Sequence, residues 1–264
     1  MMIIIPVFQV DAFTDQVFHG NPAAVCLMED ELPDDILQSI AAENNLAETA
    51  YVWTQGDHFK IRWFTPTVEV DLCGHATLAS AYVLFFKRNY EKQSICFDSR
   101  SGPLYVSRKD ELLTLDFPKD NLVPVDCPAI ITEALGLPVQ VCYVGKSDYL
   151  VLMESEKQLA ALKPDLHLIA QLPSRGLIVT APGDSCDFVS RCFFPQSGID
   201  EDPVTGSAHT TLTPFWAERL NKLSFTARQI SARGGTLFCS LEGDRVKIGG
   251  YARLFLKGTI HLDR

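Results

Sequence analysis

No uncharged apolar run in this sequence reaches the ~18 residues that would mark a membrane-spanning helix. Paired cysteines are absent too. The eight stand singly at 26, 73, 96, 127, 142, 186, 192 and 239, with no CxxC among them. A chain this long needs no covalent staples, so reduced thiols and a cytoplasmic location are expected. Basic charge is in deficit: 23 Lys and Arg stand against 33 Asp and Glu, for a formal net charge of -10. That balance excludes nucleic acid and an anionic membrane surface as natural partners. A small anionic metabolite remains open, provided that local donors receive it. Glycine-rich nucleotide loops are missing, since "ARGG" at 232–235 has neither GxGxxG nor a P-loop lysine. The opening "MMIIIPVFQVDAF" carries no basic residue before its apolar run and meets Pro6 and Asp11 early, so it is expected to be a buried strand and not a signal peptide.

What is present is an ordinary globular composition, 47% hydrophobic and 21% charged, long enough for one large domain or two moderate ones. The chain is also written twice. "PVFQV" at 6–10 resembles "PVQV" at 138–141, and "LME" at 27–29 recurs at 152–154. "RWFTP" at 62–66 recurs as "RCFFP" at 191–195, Gly74 is matched by Gly206, and "GPLYVS" at 102–107 by "GTLFCS" at 235–240. The matches keep the same order at offsets near half the chain length, which points to a duplication. The expected division is an N-terminal copy over 1–117 and a C-terminal copy over 118–250. A tail strand over 251–264 would return to the first copy. Prolines at 118, 124 and 128 mark the junction.

Each copy is expected to run as strands, a polar-capped helix (34–44 and about 155–171), more strands, a Gly-led helix and a closing hairpin. The first hairpin would turn at Lys109-Asp110 and the second at Glu242-Gly243-Asp244. The Gly-led segment "HATLASAYVLFF" has no Asp, Glu, Lys or Arg. A helix apolar on all sides must be buried on all sides. The fold expected is therefore α+β: two pseudo-symmetric domains, each a barrel-like sheet wrapped around a central helix. Pro214 in the second Gly-led segment predicts a kink or a late helix start.

Candidate chemistry gathers at these helix starts. Helix N-termini offer free N–H groups and partial positive charge, so two such ends facing one another would hold a carboxylate between the copies. His75 and Ser207 occupy matching places. His75 can act chemically or simply cap and pack. Asp202, before Pro203, can be a site residue or an acidic turn residue. Glu48, between apolar neighbours, can point into a cleft or into solvent. Ser207 can be no more than an N-cap. Asp200 and Glu201 are expected to be solvated. Cys73 as a nucleophile with His75 as its base is disfavoured, because residues two apart at a turn rarely align. An epimerase using two thiols is disfavoured because no cysteine lies between Asp202 and Ser207. His75, Asp202 and His209 have no metal-ligand spacing, so no metal is expected.

"VDAFTDQVFHGNPAAV", "LAETAYV", "IRWFTPTVEVDLCGHATLASAYVLF" and "DEDPVTGSAHTTL" together resemble the phenazine-biosynthesis PhzF-like family of isomerases. The resemblance extends from residue 10 to about 212. It implies a diaminopimelate epimerase-like fold with the active site between two similar domains, often in homodimers. It also implies a cofactor-independent isomerisation, in the phenazine enzyme that of trans-2,3-dihydro-3-hydroxyanthranilate. Position by position, it implies that Glu48 transfers the proton and His75 is its partner. Asp202 and Ser207 would be further polar site residues, and the turns at Gly74 and Gly206 would hold a substrate carboxylate. Cys73 receives no role. The function expected is acid/base proton transfer on a small carboxylated metabolite, without cofactor. The alternatives are a Cys73-dependent racemase or epimerase and a non-catalytic metabolite-binding protein.

Overall fold

The computed structural model describes residues 2–262. It divides into two compact units, one running to Asp116 and resuming from Gly249, the other spanning Phe117–Ile248.

In the first unit the strand Ile3–Ala12 pairs antiparallel with both Asn21–Leu27 and the final strand Ala252–Leu262. From Asn21–Leu27 the order continues parallel to Glu48–Gln55, antiparallel to His58–Phe64, parallel to Ser94–Ser99 and antiparallel to Gly102–Lys109. The second unit repeats this alternation step for step. Cys142–Val144 is antiparallel to Asp148–Leu152, which is parallel to Gly176–Pro182. Phe188–Phe194 follows antiparallel, Ser224–Gln229 parallel and Gly235–Glu242 antiparallel. The repeated sequence words thus mark a repeated topology.

The repeat extends to side chains. In the first unit Arg62 forks onto Glu69, Nε to Oε1 at 2.7 Å and Nη2 to Oε2 at 2.6 Å, and lies over the Phe64 ring. In the second, Arg191 forks onto Glu201 at 2.7 and 2.8 Å and lies over Phe193. This corrects the expectation that Glu201 is merely solvated: it answers the arginine of "RCFFP" as Glu69 answers that of "RWFTP". Asp200 is exposed.

The helix Asp34–Asn44 falls where the sequence placed it and ends on Asn45 in the left-handed region, φ 49°. Its counterpart does not run from 155 to 171. Glu156–Ala161, capped by Ser155, stops before Pro164, and Leu166–Ile169 starts afresh on Asp165. Proline pushes the residue before it out of helical conformation, which divides the segment.

The helix Gly74–Tyr82 has all nine residues buried, as its lack of charge requires. It packs on the strands at both ends of the first unit's order. The second central helix, Ala208–Leu220, continues through Pro214. Proline at 214 cannot donate to the Thr210 carbonyl. The Asp120 N–H takes that carbonyl instead at 3.1 Å, while Thr211 Oγ1 bonds the Asp120 carboxylate at 2.9 Å. The freed acceptor is thus satisfied from outside, and the helix starts before the proline, not late. Trp216 and Phe215 of this helix pack on Phe188 and Tyr143, and Trp216 Nε1 donates to Thr180 Oγ1 at 3.0 Å.

Candidate active site

Strand register and helix start bring Glu48 and His75 together in the first unit. After the left-handed turn at Asn45, the chain enters its strand at Glu48, with Asn44 Nδ2 bonded to Thr49 Oγ1. The parallel pairing sets Glu48 beside Ala23. Side chains alternate along a strand, so Asn21 lies on the same face as Ala23. Above that face the extended Cys73, φ -143° and ψ 108°, gives way to the helix at Gly74. Thr77 seals this start, its Oγ1 and N–H both donating to the Cys73 carbonyl.

The result is a compact cluster. His75 Nε2 lies 3.1 Å from Glu48 Oε2, with side chains only 6% and 12% exposed. Oε2 has no well-aligned donor among the described residues, so the contact with the ring is first one of charge. On the other side of the ring, Nδ1 lies 3.2 Å from Asn21 Nδ2 and 3.5 Å from Cys73 Sγ. With the amide nitrogen facing it, Nδ1 is an acceptor and the ring proton sits on Nε2, toward Glu48. With the amide turned over, its oxygen accepts from an Nδ1–H and the ring is an imidazolium. Asn21 therefore suits both protonation states.

Burial disfavours the charged imidazole, but the negative character of Cys73 and Glu48 outweighs burial and raises the His75 pKa well above 6.5. The Cys73 thiol is itself pushed up, first by burial and then by Glu48. At neutral pH it is a thiol, which leaves Glu48 as the standing negative charge beside His75. Cys73 and His75 do meet, although residues two apart at a turn rarely align. The extended backbone at Cys73 folds its sulfur back against the ring. What counts against a nucleophile is the raised thiol, not the spacing.

Glu48, Cys73 and His75 also offer one ligand atom each within 4.8 Å of one another. These donor types suit zinc, although the Cys73 thiol, pushed up by burial, must first shed its proton. The histidine named with Asp202 in the sequence, His209, is occupied otherwise: its Nδ1 meets the Thr205 carbonyl at 2.8 Å and its ring stacks on Phe188.

In the second unit Asp202 is buried, with its carboxylate accepting from Thr205 Oγ1 at 2.5 Å. Gln229, fully buried, ties this turn together. It accepts from the Thr205 N–H at 2.8 Å and donates to the Asp202 carbonyl at 2.7 Å. Ser207 stands at the N-cap position of the helix, but its side chain makes no capping bond. Its hydroxyl instead meets both Nη atoms of Arg175 at 3.3 Å. Arg175 is held by Asp148 through Nε at 2.9 Å and through a second contact from Nη2. Gly74 and Gly206 lie buried at the two helix starts, and neither has positive φ.

Sequence reasoning missed Asn21, Asp148, Arg175 and Gln229. Arg175 and Asp148 had a faint signal, each being a charge set directly against an apolar strand, "RGLIVTA" and "DYLVLM".

A family model described as "Phenazine biosynthesis-like protein" matches residues 10–258. A protein of Pseudomonas aeruginosa named an uncharacterized isomerase is 54% identical, covering 96% of this chain and 97% of its own length. Another uncharacterized isomerase, of Halalkalibacterium halodurans, is 46% identical over 99% of this chain and its full length. Among solved structures, a PhzF-family phenazine biosynthesis protein of Enterococcus faecalis superposes with a TM-score of 0.96 at 46% identity, covering 98% of this chain and 100% of that one. A hydroxyproline epimerase of Agrobacterium vitis, 11% identical, shares the fold alone, with a TM-score of 0.62 over 99% of this chain and 93% of that one. The α+β fold is thus of the diaminopimelate epimerase-like kind, and the chain belongs to the phenazine biosynthesis-like, PhzC-PhzF family.

Proposed function

We propose that this protein is a cofactor-independent isomerase that moves a proton between carbons of a small carboxylated metabolite, with Glu48 as the base. One observation carries this reading: a buried carboxylate oxygen with no well-aligned donor that lies 3.1 Å from a histidine whose pKa is raised. A structural ion pair would satisfy that oxygen with aligned donors. An oxygen left without them is ready to receive a proton from something else.

Glu48 takes a proton from a carbon beside a carbonyl or conjugated system and returns it at another. His75, whose pKa its neighbours raise, steadies the carboxylate and offsets negative charge that builds on the substrate. Asn21 holds the ring in either protonation state. In the second unit, Ser207 is assigned to binding the substrate's carboxylate, while Asp202 shapes the turn before it. A dihydro-hydroxyanthranilate-like compound fits this chemistry, because removal of its proton gives a conjugated anion.

The test is NMR in D₂O with wild type and Glu48→Gln, on a panel of small carboxylates that includes trans-2,3-dihydro-3-hydroxyanthranilate. Deuterium should enter a carbon position with wild type and slow by ~10² to 10⁴ in the variant. Undiminished exchange in Glu48→Gln rules Glu48 out as the base.

The contact between Cys73 and His75 gives a second reading, a thiol-dependent racemase. In that case alkylation of Cys73 would stop turnover and substrate would protect the thiol.

A further inference from the structure

The Leu-Met-Glu repeat at 27–29 and 152–154 sets a register between the two units, and that register lays Asp148 on Ala23. The parallel pairings agree, for Ala23 faces Glu48 and Asp148 faces Gly176. The acid has therefore changed strands. In the first unit it stands on the second strand of the pair, in the second unit on the first. Gly176 leaves it no alternative, since a Cβ there would run into the Phe193 carbonyl and the Phe194 ring. From its own strand the Asp148 carboxylate meets Ser207 only through Arg175. That guanidinium is forked onto Asp148, lies 4.7 Å over the Phe194 ring and turns both Nη atoms to Ser207 Oγ.

A hydroxyl has one proton and two lone pairs. Ser207 Oγ faces guanidinium donors, so it serves them as an acceptor and must direct its own proton elsewhere. The hydroxyl is not spent on capping, because Ser207 is already helical at φ -61° and ψ -34°. Arginine does not lose its proton in the working pH range, so the hydroxyl keeps one polarity throughout.

We propose that Arg175, locked by Asp148, is a positioning residue that fixes Ser207 as a one-way hydrogen-bond donor and so selects a substrate carboxylate over its amide. This rests on the reading that Ser207 touches the substrate. A carboxylate offers acceptors on both oxygens, whereas an amide can present an N–H to an oxygen already occupied by donors. Asp148 serves by holding the fork, since its side chain is only 5% exposed and must stay paired.

The experiment measures dissociation constants for anthranilate and anthranilamide by calorimetry, in a Glu48→Gln background where no turnover intervenes. Three further proteins carry, in addition, Ser207→Ala, the charge-neutral pair Asp148→Asn with Arg175→Gln, or all of these. The pair avoids leaving Asp148 buried and unpaired. Anthranilate should bind about tenfold tighter than the amide in the parent, consistent with a hydrogen bond to a charged group. Ser207→Ala and the Asp148/Arg175 pair should each remove about that factor for anthranilate alone, and the combination no more than either, as coupled residues require. Additive losses, equal losses for both probes, or a parent that does not favour anthranilate would overturn the proposal. The proton-transfer reading fails separately: no deuterium exchange with wild type, beside coupled anthranilate binding here, would remove the chemistry and leave the positioning role standing.

Discussion

His209 offers a test of how the second unit's core is held. The ring is fully buried on the central helix, donates Nδ1–H to the Thr205 carbonyl and leaves Nε2 without a partner among the described residues. Burial pushes its pKa down from 6.5 to about 4, against a smaller upward pull from the Thr205 carbonyl. In the unfolded chain the imidazole takes a proton below 6.5, while in the fold it stays neutral until about 4. Its contribution to stability is therefore complete above pH 6.5 and is lost as pH falls toward 4. By linkage the loss is about 2 kcal/mol at pH 5 and about 3 kcal/mol at pH 4. The informative variant is suggested by the first unit, where Thr77 holds the equivalent place and back-bonds to the Cys73 carbonyl. His209→Thr keeps that bond and removes the titration. Urea unfolding at pH 7.5, 6 and 5, followed by tryptophan fluorescence, should show a pH-independent packing deficit at the upper end that narrows by about 2 kcal/mol at pH 5. Wild type and variant losing stability in parallel across that range would refute the argument, since carboxylate effects are common to both.

Gly176→Ala should cost roughly 1–3 kcal/mol, because its Cβ meets a backbone carbonyl that cannot step aside, and should lower the melting temperature by a few degrees; an unchanged melting curve would contradict the packing there. Cys73→Ala should keep deuterium exchange within about threefold of wild type, since a raised, buried thiol is a poor base at neutral pH; loss of exchange would favour the thiol reading. Asn21→Leu should slow exchange by about tenfold, the worth of ~1.4 kcal/mol for one buried hydrogen bond that orients the His75 ring. If His75 is held by Glu48 alone, the rate will not change.

Periodicity and composition made part of this legible and left part hidden. The helix over 34–44 and the uncharged helix from Gly74 follow from local pattern, which the sheet around them reinforces. The division of the segment after Ser155 has a visible sign in the sequence, since Pro164 turns the residue before it away from helix. The course of the helix through Pro214 was not legible. It depends on Asp120, far away in sequence, supplying the missing donor. The site divides likewise. Glu48 and His75 were visible as residues set at a strand start and a helix start. Their contact hangs on the register of one parallel strand pair, which no local signal fixes. Arg175 and Asp148 meet for the same reason, and only the repeat register taken strand by strand would have brought them out.

The two helix starts show what duplication preserved and what it released. Cys73, Gly74, His75 and Thr77 correspond in order to Thr205, Gly206, Ser207 and His209. The residue four places on bonds back to the carbonyl before the glycine in both units, through Thr77 Oγ1 in one and His209 Nδ1 in the other. That backbone bond survived a complete change of side chain, so geometry is what both copies required. The side chains went opposite ways. At the first start stands an imidazole with a raised pKa, touching a carboxylate and a thiol. At the second stands a hydroxyl fixed by a guanidinium, and the nearby imidazole is held neutral by burial. One start carries a titratable group whose pKa its neighbours raise, the other a hydroxyl whose hydrogen-bond polarity stays fixed as pH changes.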